Sequence, residues 1–253
     1  MNVRRKKIGF VASIICAVVI TPLFVAAGVC LLSDRQYLLV SVAIAAAALL
    51  PFFVAFERGD NTVRELVALA VMTAISVVGR LVFAPIPGFK PVAAVTIITG
   101  AYFGAEAGFV TGALSALISN IFYGQGPWTP FQMLAWGLGG FLSGLVFFNK
   151  KLGKATLPLL VVVGFFAGVL YSAIMDVWSA VSMTGEFVWQ AYLAALTTSL
   201  PFTIEYAVSN VIFLLVLYKP MDRRLTRVKL KFGVFGGDNN VPEILVMLIS
   251  SLL

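Results

Sequence analysis

Long apolar stretches separated by short polar links run along most of this chain. Eight of them are predicted to cross a bilayer as helices, given a hydrocarbon core of about 30 Å. They cover residues 8–32, 37–56, 64–84, 91–103, 105–122, 130–148, 156–180 and 188–218. A final apolar piece, 241–253, is too short to cross as a helix. The pattern predicts an all-α, polytopic membrane helical bundle.

The distribution of Lys and Arg sets the expected orientation of these helices. Residues 91–122 could form one long span or two short spans divided near Gly104–Gly108. This choice decides on which side of the membrane every later link lies. With two spans and an inner amino terminus, 15 of the 18 basic residues lie inside, as the positive-inside rule requires. We therefore expect eight helices in the cell membrane with both termini cytoplasmic. The links 85–91, 123–130 and 181–187 then share the outer face.

Composition narrows the possible functions. Hydrophobic residues make up 60% of the 253 residues and charged residues only 11%, which indicates a membrane protein despite the net charge of +7. The chain has no histidine, and so lacks the commonest general base and metal ligand. Cys16 and Cys30 lie in one apolar stretch and predict neither a disulfide framework nor a metal site. No Gly-rich phosphate loop followed by Lys and Ser or Thr is present, and no set of residues forms a recognisable catalytic group. We therefore expect no catalytic site, no metal site and no covalently bound cofactor, and any uphill transport would need an ion gradient or another subunit.

One outer link carries an unusual concentration of hydrogen-bonding and aromatic residues. Residues 119–131 read Ser-Asn-Ile-Phe-Tyr-Gly-Gln-Gly-Pro-Trp-Thr-Pro-Phe, with two glycines and two prolines that break a helix and set a turn. Tyr and Trp also favour the membrane surface, so interfacial anchoring is one interpretation. The other is a lid or wall of a ligand site. Its candidate contact residues are Asn120, Tyr123, Gln125 and Trp128.

Ionisable residues within the predicted spans are candidate functional groups, because charge is unfavourable in a bilayer. Arg80 and Asp176 fall near the outer ends of their spans, with Trp178 close to Asp176, whereas Glu205 falls near the middle of the last span. Glu106 falls at the inner turn and is not expected at the outer site. Arg80 could instead pair with Asp176 or Glu205 only to neutralise a buried charge.

Small residues recur at four-residue spacing, which allows close helix packing in lipid. One such row consists of Gly104, Gly108 and Gly112. Two shorter rows consist of Gly140 with Gly144 and of Gly164 with Gly168. Ala70 and Ala74 make a weaker ridge of the same spacing in the third predicted span.

Three stretches of the chain resemble a known family of membrane proteins. They are 78–95 (VGRLVFAPIPGFKPVAAV), 100–108 (GAYFGAEAG) and 119–136 (SNIFYGQGPWTPFQMLAW). Together they resemble the substrate-binding membrane subunits, or S components, of energy-coupling factor transporters. Within that group they look most like the branch that is assigned to cobalamin and was earlier assigned to queuosine precursors. The resemblance covers about residues 62–232.

The resemblance implies an architecture, partners and a ligand. Residues 61–232 would form the six-helix substrate-binding core, preceded by two additional transmembrane helices in 1–60 and followed by a cytoplasmic tail in 233–253. Outer loops matching 85–91, including Phe89 and Lys90, and 123–130 would cap the substrate. Ala70 and Ala74 match the helix that docks on the transmembrane coupling subunit. Two cytoplasmic ATPases would power import by toppling of the S component, with cobalamin as the transported ligand.

Several alternatives stay open at this level. A queuosine precursor would use the same stacking and hydrogen-bonding residues as a corrinoid. An ion-coupled secondary transporter would use Asp176 and Glu205 as proton or sodium sites. An intramembrane enzyme lacks a nucleophile–base spacing, and a purely structural subunit would not need the shaped outer loops.

Overall fold

A computed structural model describes residues 62–147, 152, 156–184 and 188–234 of the chain. This part folds into helices only, which confirms the all-α prediction for the described residues. The helices are α1 (Val63–Val82), α2 (Val92–Phe103), α3 (Ala105–Tyr123), α4 (Thr129–Phe147), α5 (Leu157–Thr184), α6 (Trp189–Thr198) and α7 (Leu200–Phe232). The predicted spans 8–32 and 37–56, and the apolar piece 241–253, lie outside the described residues.

Five of these helices have the length and apolar composition to cross a membrane. They are α1, α3, α4, α5 and α7, which contain 19 to 33 residues each. Many of their large apolar side chains remain exposed, particularly on α1, α5 and α7. In water such surfaces would be unfavourable, whereas lipid tails cover them without penalty. The chain is therefore a multi-pass membrane protein.

Helix α2 lies at the centre of the bundle although it has only 12 residues. Every one of its residues is buried, and it packs against α1, α3, α4 and α7. A helix that is apolar on all sides is expected in such a position. Gly104 separates α2 from α3 with φ of 102°, a conformation that favours glycine. The division of 91–122 into two helices is thus confirmed, with the break at Gly104.

Glycines allow the backbones of the central helices to come into direct contact. A side chain at Gly108 would collide with the backbone of Gly140, and one at Gly140 would collide with the backbone of Gly108. Likewise, Gly168 of α5 lies against the backbone of Ala207 in α7. The predicted role of the spaced glycines in close packing is confirmed for these contacts.

The last predicted span, 188–218, is wrong in two respects. The structure divides it at Ser199 into the short helix α6 and the long helix α7, and α7 continues to Phe232. Pro201 lies in the first turn of α7, where its missing N–H leaves no hydrogen bond unmade. The basic residues after 218 do not end the helix, because Lys and Arg are good helix formers and interact favourably with a helix carboxyl end.

Candidate functional site

Arg80 is the centre of the candidate site, in the last turn of α1. It is buried, with 7% of its surface exposed. Its Nη1 donates hydrogen bonds to Oγ of Ser119 and, at 2.8 Å, to Oδ1 of Asn120. Its guanidinium lies 4.4 Å from the ring centre of Tyr123 and 4.8 Å from that of Trp136. Neutral hydroxyl and amide groups and aromatic faces therefore hold this cation.

One nitrogen of the Arg80 guanidinium, Nε, is still able to donate a hydrogen bond. Its Nε is buried and makes no hydrogen bond within the described part of the chain. No described carboxylate forms an ion pair with it, so Arg80 is not neutralised by Asp176 or Glu205 in this structure. A buried donor without an acceptor is unfavourable unless a ligand or water supplies one.

Asn120 connects Arg80 to the start of α4. Its Nδ2 donates to Oγ1 of Thr129 and to Oε1 of Gln132, each at 2.9 Å, while its Oδ1 accepts from Arg80. Gln132 in turn donates to the hydroxyl of Tyr171 at 3.3 Å. The Asn120 side chain is fully buried and all its polar atoms have protein partners. It positions Arg80 rather than facing an open space.

Three aromatic rings form a shelf beside Arg80. The rings of Trp136 and Tyr171 stack with centroids 5.2 Å apart and planes at 16°, and Tyr206 lies 4.6 Å from Tyr171. We call the rings of Trp136, Tyr171 and Tyr206 the aromatic shelf. A small cavity adjoins the shelf, lined by Lys90, Val92, Ala93, Trp136, Tyr171, Tyr206 and Asn210.

The loop 85–91 borders the cavity through Lys90 and is fastened to α7. The backbone N–H of Lys90 donates to Oγ of Ser209 at 3.0 Å, and that hydroxyl lies 3.4 Å from the carbonyl oxygen of Lys90. Phe89 packs against Phe213 with centroids 4.6 Å apart. Gly88 has φ of 63°, and a side chain there would collide with the carboxylate of Glu205.

Lys90 brings a second cation to the cavity. Burial and the charge of Arg80 lower the pKa of Lys90, whereas the nearby carboxylate of Glu205 raises it. The Lys90 ammonium also lies 5.9 Å from the ring centre of Tyr123. Lys90, which lines the cavity, thus lies near both a second cation, Arg80, and a carboxylate, Glu205.

The link 124–128 closes on itself beside this network. Gln125 donates from Nε2 to the carbonyl of Leu117 at 2.7 Å and accepts from Thr129 at 3.0 Å. The ring of Trp128 covers Gly126. Neither Gln125 nor Trp128 lines the cavity. Gln125 instead binds Thr129, the hydroxyl of which accepts a hydrogen bond from Asn120.

Asp176 and Trp178 of α5 make contacts elsewhere in the bundle. The carboxylate of Asp176 accepts a hydrogen bond of 2.6 Å from Ser199, and Trp178 packs on Phe131 with centroids 5.9 Å apart. Neither residue lines the cavity.

The structure therefore brings together only part of the predicted site. Of the predicted residues, Lys90 lines the cavity. Arg80 adjoins its wall through Trp136, Tyr123 lies against Arg80 and Lys90, and Glu205 lies near Lys90. Prediction from the sequence missed the shelf residues and Asn210, which donates to the carbonyl of Gly164 at 3.1 Å. The available signal was the recurrence of Tyr, Trp and Asn inside otherwise apolar spans.

Ala70 and Ala74 lie on the exposed side of α1, away from this network. Their exposure leaves the ridge accessible to another helix, as the proposed docking role requires. That role stays a prediction.

Comparison with known families identifies the class of the chain. None of the curated proteins matches it. The model of the family "ECF-type riboflavin transporter, S component" matches residues 60–223, which include the shelf, Arg80 and the loop 85–91. This match supports the predicted S component but not its cobalamin branch. The chain belongs to this family, and is a substrate-binding membrane subunit of an energy-coupling factor transporter.

Proposed function

We propose that this subunit captures riboflavin, or a similarly flat heteroaromatic micronutrient, on the aromatic shelf under the loop 85–91. The observation that carries the proposal is the unpartnered Nε of buried Arg80 beside the stacked rings of Trp136 and Tyr171. The riboflavin name of the matched family supports the same ligand class.

The chemistry of a flavin fits these groups. Its isoalloxazine ring system is flat and apolar on both faces, so it would stack on the shelf, with about 0.5–1.5 kcal/mol per aromatic pair beyond area burial. One edge of the ring carries carbonyl oxygens and ring nitrogens that accept hydrogen bonds. Arg80 would donate to that edge from its free nitrogen, and Asn210 and Lys90 lie along the same cavity.

The cavity is small, so ligand entry requires the loop 85–91 to move. The fastening of that loop by Ser209 and Phe213 consists of one ordinary hydrogen bond, one long hydrogen bond and one ring contact, which a local opening can break. A corrinoid is much larger and would also displace the link 124–128. A queuosine precursor is flat, and would use the shelf as a flavin does.

Delivery to the cytoplasm would depend on partners. As an S component, the chain works with a transmembrane coupling subunit and cytoplasmic ATPases. We propose that Ala70 and Ala74 contact the coupling subunit and that toppling of the subunit exposes the cavity to the inner side. The ion-coupled alternative would place an ion at Asp176 or Glu205, and predicts gradient-driven uptake by the purified chain alone.

Calorimetric titration of the detergent-purified chain with riboflavin, cobalamin and queuine tests the ligand class. We expect riboflavin to bind to the wild-type chain. The Tyr206→Phe variant keeps the aromatic ring and lacks only its hydroxyl group. Trp136→Leu should weaken binding at least 10-fold, since a principal stacking ring is lost, whereas Trp178→Leu should leave the affinity unchanged. Binding of cobalamin or queuine alone would keep the family and replace the proposed substrate.

A further inference from the structure

The last helix is longer than the hydrocarbon core is thick, and its carboxyl end is basic. Helix α7 has 33 residues and is therefore about 50 Å long, against a hydrocarbon core of about 30 Å. Residues 219–232 carry Lys219, Arg223, Arg224, Arg227, Lys229 and Lys231. Asp222 is the one acidic residue between 206 and 232, and it accepts hydrogen bonds from Tyr102 and Thr226.

The apolar and basic parts of α7 share one exposed face. Residues 208, 212, 216, 219, 223 and 227 follow one another at intervals of three or four, which places them on the same side of a helix. Val208, Ile212 and Val216 are 45%, 39% and 62% exposed. Lys219, Arg223 and Arg227 continue that face and are also exposed. We call these three cations the basic stripe.

The exposed face of α7 passes directly from apolar to basic residues, and this order indicates which molecule covers it. Lipid tails cover exposed Val, Ile and Leu in a membrane, so a lipid lying along Val208–Val216 would bring its headgroup to the basic stripe. None of the three cations forms an ion pair with a described carboxylate. Leu230 is 81% exposed just beyond the stripe, where an amphipathic helix end contacts the interface.

We propose that the basic stripe of α7 binds the phosphate groups of anionic phospholipids of the inner leaflet, whose acyl chains lie along Val208, Ile212 and Val216. Arg223 and Arg227 can each form charge-assisted hydrogen bonds with phosphate oxygens. The bound lipids hold the carboxyl end of α7 at the inner surface of the membrane.

The test uses the purified full chain in a neutral detergent and follows lipid binding by native mass spectrometry. The probes are phosphatidylglycerol and phosphatidylcholine with the same acyl chains, and soluble glycerol phosphate. We expect phosphatidylglycerol to bind in preference to phosphatidylcholine, and glycerol phosphate not to compete at millimolar concentration. Raising the salt concentration should weaken the preference.

Two double variants locate the site. Arg223→Gln with Arg227→Gln should weaken phosphatidylglycerol binding about 30-fold, from the typical contribution of two surface cations. Arg64→Gln with Arg224→Gln removes the same charge from exposed positions off the stripe, and should bind as the wild type does. Circular dichroism and gel filtration check that both variants are folded.

Three outcomes overturn the proposal. Equal binding of both lipids would show that charge is not recognised, and competition by glycerol phosphate would indicate a simple anion site. If the stripe variant bound phosphatidylglycerol normally but no longer assembled with the coupling subunit and ATPases, the stripe would be a protein-docking face.

Discussion

Nη1 of Arg80 donates a hydrogen bond of 2.8 Å to Oδ1 of Asn120, and this contact joins α1 to α3 inside the bundle. Asn120 passes the connection to α4 through Thr129 and Gln132. One buried amide therefore fixes the position of the cation that we assign to ligand binding. Because all of its polar atoms are engaged, Asn120 acts as a positioning residue.

Asn120→Ala should destabilise the chain and misplace Arg80. The change removes three buried hydrogen bonds, one of them to a charged group, which amounts to roughly 3 kcal/mol. For a protein of this size that corresponds to a decrease in Tm of about 6–12 °C. Thermal unfolding in detergent measures it, with Ile121→Ala at the adjacent, 69% exposed position as control. Equal decreases in the two variants would contradict the positioning role.

Gly140→Ala should destabilise the bundle much more than Gly139→Ala. The added methyl group at Gly140 would collide with the backbone of Gly108, which cannot move without displacing α3. At Gly139 the same methyl group would meet only the side chain of Ala167 at 3.5 Å, an ordinary contact. We expect overpacking to reduce the free energy of unfolding by about 1–3 kcal/mol at Gly140 alone. Denaturant unfolding of both variants is the measurement, and similar midpoints would contradict the packing assignment.

Gly88→Ala should loosen the loop over the cavity. The substitution adds a side chain at positive φ, at a cost of about 1 kcal/mol, and directs it at the carboxylate of Glu205. We expect ligand to dissociate roughly 10-fold faster, because the closed loop is disfavoured by both effects. Adding Glu205→Ala to this variant removes the collision and should therefore bring the dissociation rate part of the way back to that of the wild type. Stopped-flow dissociation would refute the arrangement if the double variant released ligand as fast as Gly88→Ala alone.

Lys90 should make stability depend on pH in the alkaline range. Burial and Arg80 lower the pKa of Lys90 below its ordinary 10.5, so the folded state releases this proton before the unfolded state does. The unfolding free energy therefore rises as pH increases from the lowered pKa towards 10.5. Lys90→Met should be more stable than the wild type at neutral pH, with the gap narrowing as pH rises. Lys231→Met, at an exposed position, is the control, and a gap that stays constant with pH would contradict the assignment.

Ala70→Leu with Ala74→Leu should prevent assembly with the coupling subunit without reducing ligand affinity. Both residues are exposed and lie away from the cavity, so larger side chains would block close approach of a partner helix only. Co-purification with the coupling subunit measures assembly, and titration of the isolated chain measures affinity. Val71→Leu with Ile75→Leu, on neighbouring exposed positions, is the control pair. Normal assembly of the alanine variant would place the docking surface elsewhere.

The helical fold was largely predictable, because apolar stretches and the distribution of Lys and Arg carry strong signals. The break at Gly104 followed from the charge distribution alone. The division at Ser199 did not, since α6 and the start of α7 are both apolar and Pro201 is compatible with the first turn of a helix. The extension of α7 to Phe232 was missed because a basic helix end resembles a cytoplasmic tail in sequence.

The candidate site was predictable only in part. Charged residues within spans are conspicuous, and Arg80 and Glu205 both lie near Lys90, which lines the cavity. Trp136, Tyr171 and Tyr206 come from three different helices, and no spacing in the sequence reveals that their rings meet. Conversely, Gln125 and Trp128 are prominent in the sequence, but Gln125 contacts the neighbouring helices α3 and α4 and Trp128 covers Gly126, which only the three-dimensional arrangement shows.

The most direct test of the account is flavin fluorescence during titration of the purified chain with riboflavin. Stacking on the aromatic shelf predicts strong quenching at saturation, because close Trp and Tyr rings donate electrons to the excited flavin. Trp136→Phe should keep binding but recover part of the emission, while Trp189→Phe, at a 58% exposed position, should not change it. Tight binding without quenching, or quenching unaffected by Trp136→Phe, would contradict the placement of the ligand on the shelf.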